Sequence, residues 1–204
     1  RGVIGFCRRS RAKAECLRRT SRPPLFLRDV GKAAQGVSRG RPQNGDGEGR
    51  MGEKTLYLIG GPMGAGKTTV CRELQKRLPK NVFLDGDWCW DASPFAVTEE
   101  TKEMALDNVC HLLSNFLRCS AYENVIFCWV MHEQSILDRI FSALGGIPHR
   151  TVCVTLVCSE ETLLRRLEKD VRAGLRTPDV AARALDRLQK CAALDTRKAD
   201  TEGK

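Results

Sequence analysis

Along residues 54–201 the apolar positions switch between two periods. Short runs rich in β-branched and aromatic residues fall at 55–59, 81–84, 124–130 and 151–158. Each has strand length, and the later two are apolar on both faces, as buried parallel strands are. Between these runs, apolar residues recur every three or four positions. Val70, Cys71, Leu74 and Leu78 form one helical set that Pro79 stops. Thr98 caps a second helix running to about Cys119, with Ala105, Val109, Leu112 and Phe116 as its predicted apolar stripe. Ile136, Leu137, Ile140 and Phe141 mark a third over 133–144, ended by Gly145-Gly146. Two more amphipathic helices are expected at 160–171 and 180–194, split by the polar stretch 172–178, with a fifth strand at 196–201. Strand and helix alternate throughout, so crossovers should be right-handed and the sheet parallel, with helices on both faces. The pattern predicts one doubly wound α/β domain without internal repeats.

Composition changes this picture only at the N-terminal end. The formal charge of +9 resides entirely in residues 1–50, which hold thirteen basic and four acidic side chains. The remaining 154 residues balance at 21 of each. Residues 1–50 alternate arginines with Pro, Gly and Ser and show no periodicity, which predicts a disordered basic leader. A nucleic-acid arm and an Arg-rich transit peptide are alternatives. Met51 lies just before the first strand, and Gly47-Glu48-Gly49 is encoded by a purine-rich stretch. The favoured expectation is therefore that translation starts at Met51 and that 1–50 is untranslated read-through. The ten cysteines include no C-x-x-C pair. Cys71, Cys110, Cys128, Cys153, Cys158 and Cys191 lie in apolar runs or on helix faces, as reduced, core-packed thiols do. A cytoplasmic protein without a membrane span is expected.

One stretch carries chemistry outright. Gly61-Pro62-Met63-Gly64-Ala65-Gly66-Lys67-Thr68, followed by Thr69, matches the phosphate-binding pattern G-x-x-x-x-G-K-[ST] between a predicted strand and a predicted helix. Glycines at 61, 64 and 66 let backbone N–H groups approach phosphate oxygens, and the following helix start completes an anion nest. Lys67 is expected to reach the β- and γ-phosphates and the Thr68 hydroxyl to ligate Mg²⁺. Strand two delivers Asp85-Gly86-Asp87-Trp88 at its carboxyl end, the end that faces the phosphates in open α/β sheets. Strand three leads into Met131-His132-Glu133 without an aspartate at its tip. There is also no Asn-Lys-x-Asp guanine motif and no transporter signature, which argues against GTPases and transporter ATPases. A domain of 154 residues leaves no room for the helical lid of a ring motor.

These motifs, over residues 54–201, resemble the small P-loop kinases. The phosphate loop, Leu84-Asp85-Gly86-Asp87, and the Arg-rich stretch from Arg165 to Arg176 carry the likeness. The chain is most similar to AAA-domain nucleotide kinases, and in layout to adenylylsulfate, gluconate and shikimate kinases and chloramphenicol phosphotransferase. The resemblance implies a three-layer α/β/α P-loop NTPase fold, strand order 2-3-1-4-5, and ATP with Mg²⁺ as cofactors. It implies phosphoryl transfer to a hydroxyl of a small molecule, a nucleoside or other neutral acceptor. It assigns Asp87 as the base that orients the hydroxyl, Asp85 to the Mg²⁺ shell, and Arg172 and Arg176 to a closing lid; the two aspartates are interchangeable on sequence grounds. His132 and Glu133 face the site or cap a helix, and Trp129 is expected in the core. Relatives continue into a last helix beyond the position of Lys204, which reads as a truncated C-terminus. Adenylylsulfate kinase has Asn and Arg where this chain has Trp88 and Cys89, which argues against that substrate. Between residues 81 and 117 only Lys102 is a cation, whereas Trp88, Trp90 and Phe95 crowd the aspartates. That composition favours an uncharged acceptor with a flat or apolar face. A non-catalytic ATP-binding regulator and a 5′-hydroxyl polynucleotide kinase are the rival readings.

Overall fold

The computed structural model describes residues 54–202; the leader at 1–50 lies outside the described residues. Five strands and five helices alternate until the last strand, which follows two consecutive helices. They are β1 (Thr55–Gly60), α1 (Lys67–Arg77), β2 (Asn81–Asp85), α2 (Glu99–Arg118), β3 (Asn124–Cys128), α3 (Gln134–Leu144), β4 (Arg150–Val157), α4 (Glu160–Arg172), α5 (Val180–Ala193) and β5 (Arg197–Asp200). One turn of 3-10 helix, Gly86–Cys89, follows β2. All strand pairs are parallel, in the order β2-β3-β1-β4-β5. This is a three-layer α/β/α sheet, and its order places β1, which feeds the phosphate loop, at the centre.

Strand periodicity divides the core. Leu56 and Leu58 of β1, Leu84 of β2, and Val125 and Phe127 of β3 point to one face. There they pack against Val109, Leu113 and Leu117 of α2 and Leu137, Ile140 and Leu144 of α3. The alternate residues face α1, whose Arg72 guanidinium lies 4.7 Å over the Phe83 ring. A satellite cluster joins α4 to α5 through Leu163, Leu167, Val180, Ala184 and Leu188, with Met63 of the phosphate loop packed on it.

Two expectations shift. The α2 stripe is rotated by one position: Ala105, Val109, Leu113 and Leu117 are buried, and Leu112 and Phe116 sit on the rim. Both sets satisfy helical spacing, and the orientation of α2 against α3 and the sheet selects one. The helix start is as expected, with Thr98 and Thr101 forming a reciprocal capping box. The third strand also ends earlier, at Cys128, so Trp129 and Val130 belong to the loop above the sheet. Cys71, Cys110, Cys128 and Cys191 are buried free thiols, whereas Cys153 and Cys158 are half-buried. Among the described residues no helix is long and apolar enough to cross a membrane.

Candidate functional site

The loop between β1 and α1 turns on glycines with left-handed backbone: φ is 139° at Gly61, 81° at Gly64 and 92° at Gly66. At Gly64 packing adds a second constraint, because a Cβ there would lie 3.1 Å from Leu167 Cδ2 and 3.2 Å from Leu163 Cδ1. Helix α4 therefore braces the loop from below. Gly66 caps α1 without a side-chain hydrogen bond, and the first turn of α1 holds no acidic residue. The first N–H groups of a helix lack intrahelical partners, and here neither the cap residue nor an acidic residue of the first turn competes for them. A Cβ at Gly66 would meet nothing within 4 Å, so packing does not crowd this corner of the loop.

Lys67 folds back over its own loop, with Nζ donating to the Pro62 carbonyl at 2.9 Å. Burial pulls its ammonium below the ordinary lysine value, opposed by Cys128, Asp87 and Asp85. The Thr68 hydroxyl donates to Asp85 Oδ2 at 3.3 Å, and Asp85 Oδ1 accepts from the Asp87 N–H at 3.2 Å. Strand alternation explains the pairing: Asp85 shares the α1-facing side of β2 with Phe83. Asp87 is exposed on the 3-10 turn, one residue beyond Gly86. The structure thus brings Lys67, Thr68, Asp85 and Asp87 together.

The arginines divide differently. Arg172 is exposed and pairs with Glu168 at 3.3 Å, while Arg176 pairs with Asp170 at 3.0 Å. The arginines that touch the loop are two others. Arg166 donates to the Gly64 carbonyl at 3.5 Å and to the Thr201 carbonyl at 2.6 Å; Arg187 Nη1 lies 3.0 Å from Met63 Sδ. The sequence assigned neither a site role, although Arg166 lies within the Arg-rich stretch 165–176 and helical phase held the signal. Arg166 precedes Leu167 and Arg187 precedes Leu188, so each borders the apolar stripe that packs under the loop. His132 Nε2 lies 3.3 Å from Glu133 Oε1, and Glu133 occupies the N-cap of α3 without a side-chain cap bond.

Trp129 holds a position that strand reading alone did not assign. It follows Cys128, which pairs with Asp85 across the β2–β3 ladder, so Trp129 comes beside Gly86. A Cβ on Gly86 would lie 2.4 Å from Trp129 Cγ and 2.5 Å from Cδ1. The glycine between the two aspartates is there because the indole lies against its backbone. Trp129 is half-buried and packs on the α2–α3 side of the core.

A loop of this geometry at the centre of a 2-3-1-4-5 parallel sheet defines a small P-loop kinase fold. Residues 58–191 match the family model described as an AAA domain, and the chain belongs to that family. No curated protein matches the sequence. Among solved structures, the fold is similar to a gluconokinase from Sinorhizobium meliloti 1021, with 19% identity, TM-score 0.55, and 76% of this chain and 86% of that one covered. It is also similar to the Deinococcus radiodurans tunicamycin resistance protein, with 21% identity, TM-score 0.56, and 74% and 88% covered. A third likeness is to a chain of the Pnkp1/Rnl/Hen1 RNA repair complex, with 16% identity, TM-score 0.56, and 72% and 48% covered.

Proposed function

We propose that this protein is an ATP-dependent phosphotransferase acting on a hydroxyl of a small molecule. The observation that carries the reading is the Thr68–Asp85–Asp87 arrangement at the mouth of an uncapped phosphate loop. Phosphoryl transfer needs positioning and charge stabilisation more than covalent help. Backbone N–H groups of Gly64 to Thr69 would cradle the triphosphate, and Lys67 would exchange its Pro62 carbonyl for phosphate oxygens. The donor set fits Mg²⁺, a hard cation that takes oxygen ligands: Thr68 would ligate it and Asp85 would hold its shell. When bound, Mg²⁺ supplies charge neutralisation on the transferred group. Asp87, exposed toward the acceptor side, would accept the hydroxyl proton. Arg187 and Arg166 already border the loop, whereas Arg172 and Arg176 would serve a lid only after leaving Glu168 and Asp170. The buried reduced thiols favour a reducing compartment such as the cytoplasm.

The test is ADP release by the full chain with ATP and Mg²⁺ against a panel of alcohols, sugars, nucleosides and 5′-hydroxyl oligonucleotides. Acceptor-dependent ADP release with a phosphorylated small molecule supports the proposal. ATP binding without turnover on any acceptor would indicate a regulatory nucleotide-binding protein instead. Turnover confined to oligonucleotides would indicate a polynucleotide kinase.

A further inference from the structure

We infer that the acceptor is a flat-ringed alcohol carrying no negative charge, whose ring face packs on the indole of Trp129 beside Asp87. The inference rests on Asp87 being the hydroxyl-facing carboxylate, and names what that site admits.

Three observations converge. First, Trp129 lies directly against Gly86 between the two aspartates, with only part of its surface in the core. A partly exposed aromatic side chain against the residue that precedes the proton acceptor offers stacking to a planar ring. Second, the segment leading away from Asp87 exposes large apolar side chains. Trp88 is 54% exposed, Phe95 61%, Val97 59% and Met104 45%. Trp90 and Phe95 pair at 4.7 Å between centroids. Four of the seven large exposed apolar side chains among the described residues thus fall in this one stretch, which begins at the residue after Asp87. Such clustering marks a recognition surface. Third, the charge there is wrong for an anion. Residues 81–118 carry seven carboxylates, Asp85, Asp87, Asp91, Glu99, Glu100, Glu103 and Asp107, against Lys102 and Arg118. Lys102 pairs with Glu99 at 2.7 Å, and Arg139, reaching across from α3, pairs with Asp107 at 2.7 Å. Arg72, the cation nearest Trp88, is already engaged: its guanidinium lies 4.7 Å over the Phe83 ring and 5.9 Å from that of Trp88, and it donates to Gln75 Oε1 at 2.7 Å. A phosphate or carboxylate on the acceptor requires a committed cation, usually a bidentate arginine. The surplus of carboxylates repels it instead.

The experiment compares matched acceptors with the full chain, ATP and Mg²⁺. The four ribonucleosides are set against their 5′-monophosphates, and aromatic diols against their carboxylate analogues. Uncharged members should show kcat/KM at least about tenfold above their anionic partners. Trp129→Leu should raise the acceptor KM about tenfold while kcat and the ATP-induced melting shift stay within about threefold and one degree, and Trp129→Phe should recover most of the loss. Circular dichroism of both variants separates a binding effect from unfolding; the matched pairs test the charge rule without any substitution. Preferential phosphorylation of the anionic partners overturns the inference and leaves the kinase reading standing. Equal KM for Trp129→Leu and the native chain overturns the role of the indole. ATP binding with no turnover on any alcohol overturns the kinase reading and this inference together.

Discussion

Asp85 and Asp87 are two residues apart in sequence, yet strand geometry gives them different neighbours. Asp85 ends β2 on the α1 side, within hydrogen-bond reach of Thr68, whereas Asp87 projects from the 3-10 turn into solvent. That division favours Asp85 for the metal shell and Asp87 for the hydroxyl. Asp87→Asn should lower kcat by about 10²- to 10⁴-fold with ATP affinity unchanged, as expected for loss of a positioned base. Asp85→Asn should instead raise the Mg²⁺ concentration needed for half-maximal rate. Steady-state kinetics over a Mg²⁺ series distinguish the two, and a reversed pattern would exchange the roles. Gly86 is fixed by packing, not by a positive φ. Gly86→Ala should destabilise by about 1–3 kcal/mol in urea unfolding, because its Cβ would overlap the Trp129 ring. In a Trp129→Gly background, which also removes the Trp129 Cβ that would lie 2.8 Å away, the cost should largely disappear; a full cost there would refute the contact as its cause.

At the scale of elements, α2 and α4 hold the two sides of the site. The phase of α2 predicts unequal costs at adjacent leucines. Leu113→Ala should cost about 2–5 kcal/mol, since Leu113 is fully buried, and Leu112→Ala on the rim clearly less. Equal costs by chemical denaturation would restore the stripe expected from spacing alone. Helix α4 braces Gly64, and its N-terminus is held by Ser159 and by Glu202, which arrives from beyond β5. Glu202 accepts from the Ser159 N–H at 2.9 Å, from the Ser159 hydroxyl at 2.8 Å and from the Thr162 hydroxyl. Those hydrogen bonds, Thr162 first, draw its carboxyl down from 4.5 to about 2. A folded-state value below the unfolded one stabilises the fold above the ordinary carboxylate range, and this is lost as pH falls from about 4.5 toward 2. The melting-temperature gap between the native chain and Glu202→Gln should therefore narrow between about pH 6 and pH 3. A gap independent of pH would show that the cap acts without its charge.

Across the whole molecule, the loop between β1 and α1 touches residues of α4 and α5, so a ligand held there would link binding to global stability. A ligand present at a hundred times its Kd adds about 2.7 kcal/mol, worth several degrees of melting temperature in a domain this size. ATP with Mg²⁺ should produce that shift in the native chain and almost none in Lys67→Ala, whose own melting temperature should stay near the native value. An undiminished shift in Lys67→Ala would remove the loop from the nucleotide site. The described domain draws on a charge-balanced stretch of sequence. Its net charge therefore supplies no overall attraction to nucleic acid, and steeply salt-dependent binding by that part of the chain would require a local basic patch.

The sequence by itself determined the alternation of strands and helices, the parallel sheet, and the position of the phosphate loop. These depend on local periods and on a contiguous motif whose glycines and lysine are needed wherever it occurs. The family likeness added the strand order 2-3-1-4-5. Tertiary structure decided what depends on phase and on residues distant in the chain. It selected Leu113 over Leu112 for burial, because either face of α2 satisfies helical spacing and only its neighbours choose. It brought Arg166 and Arg187, about a hundred residues or more beyond the loop, against Gly64 and Met63, and tied Arg172 and Arg176 to nearby carboxylates. It also set Trp129 against Gly86. That contact crosses two strands separated by more than forty residues, and no period within either strand encodes it.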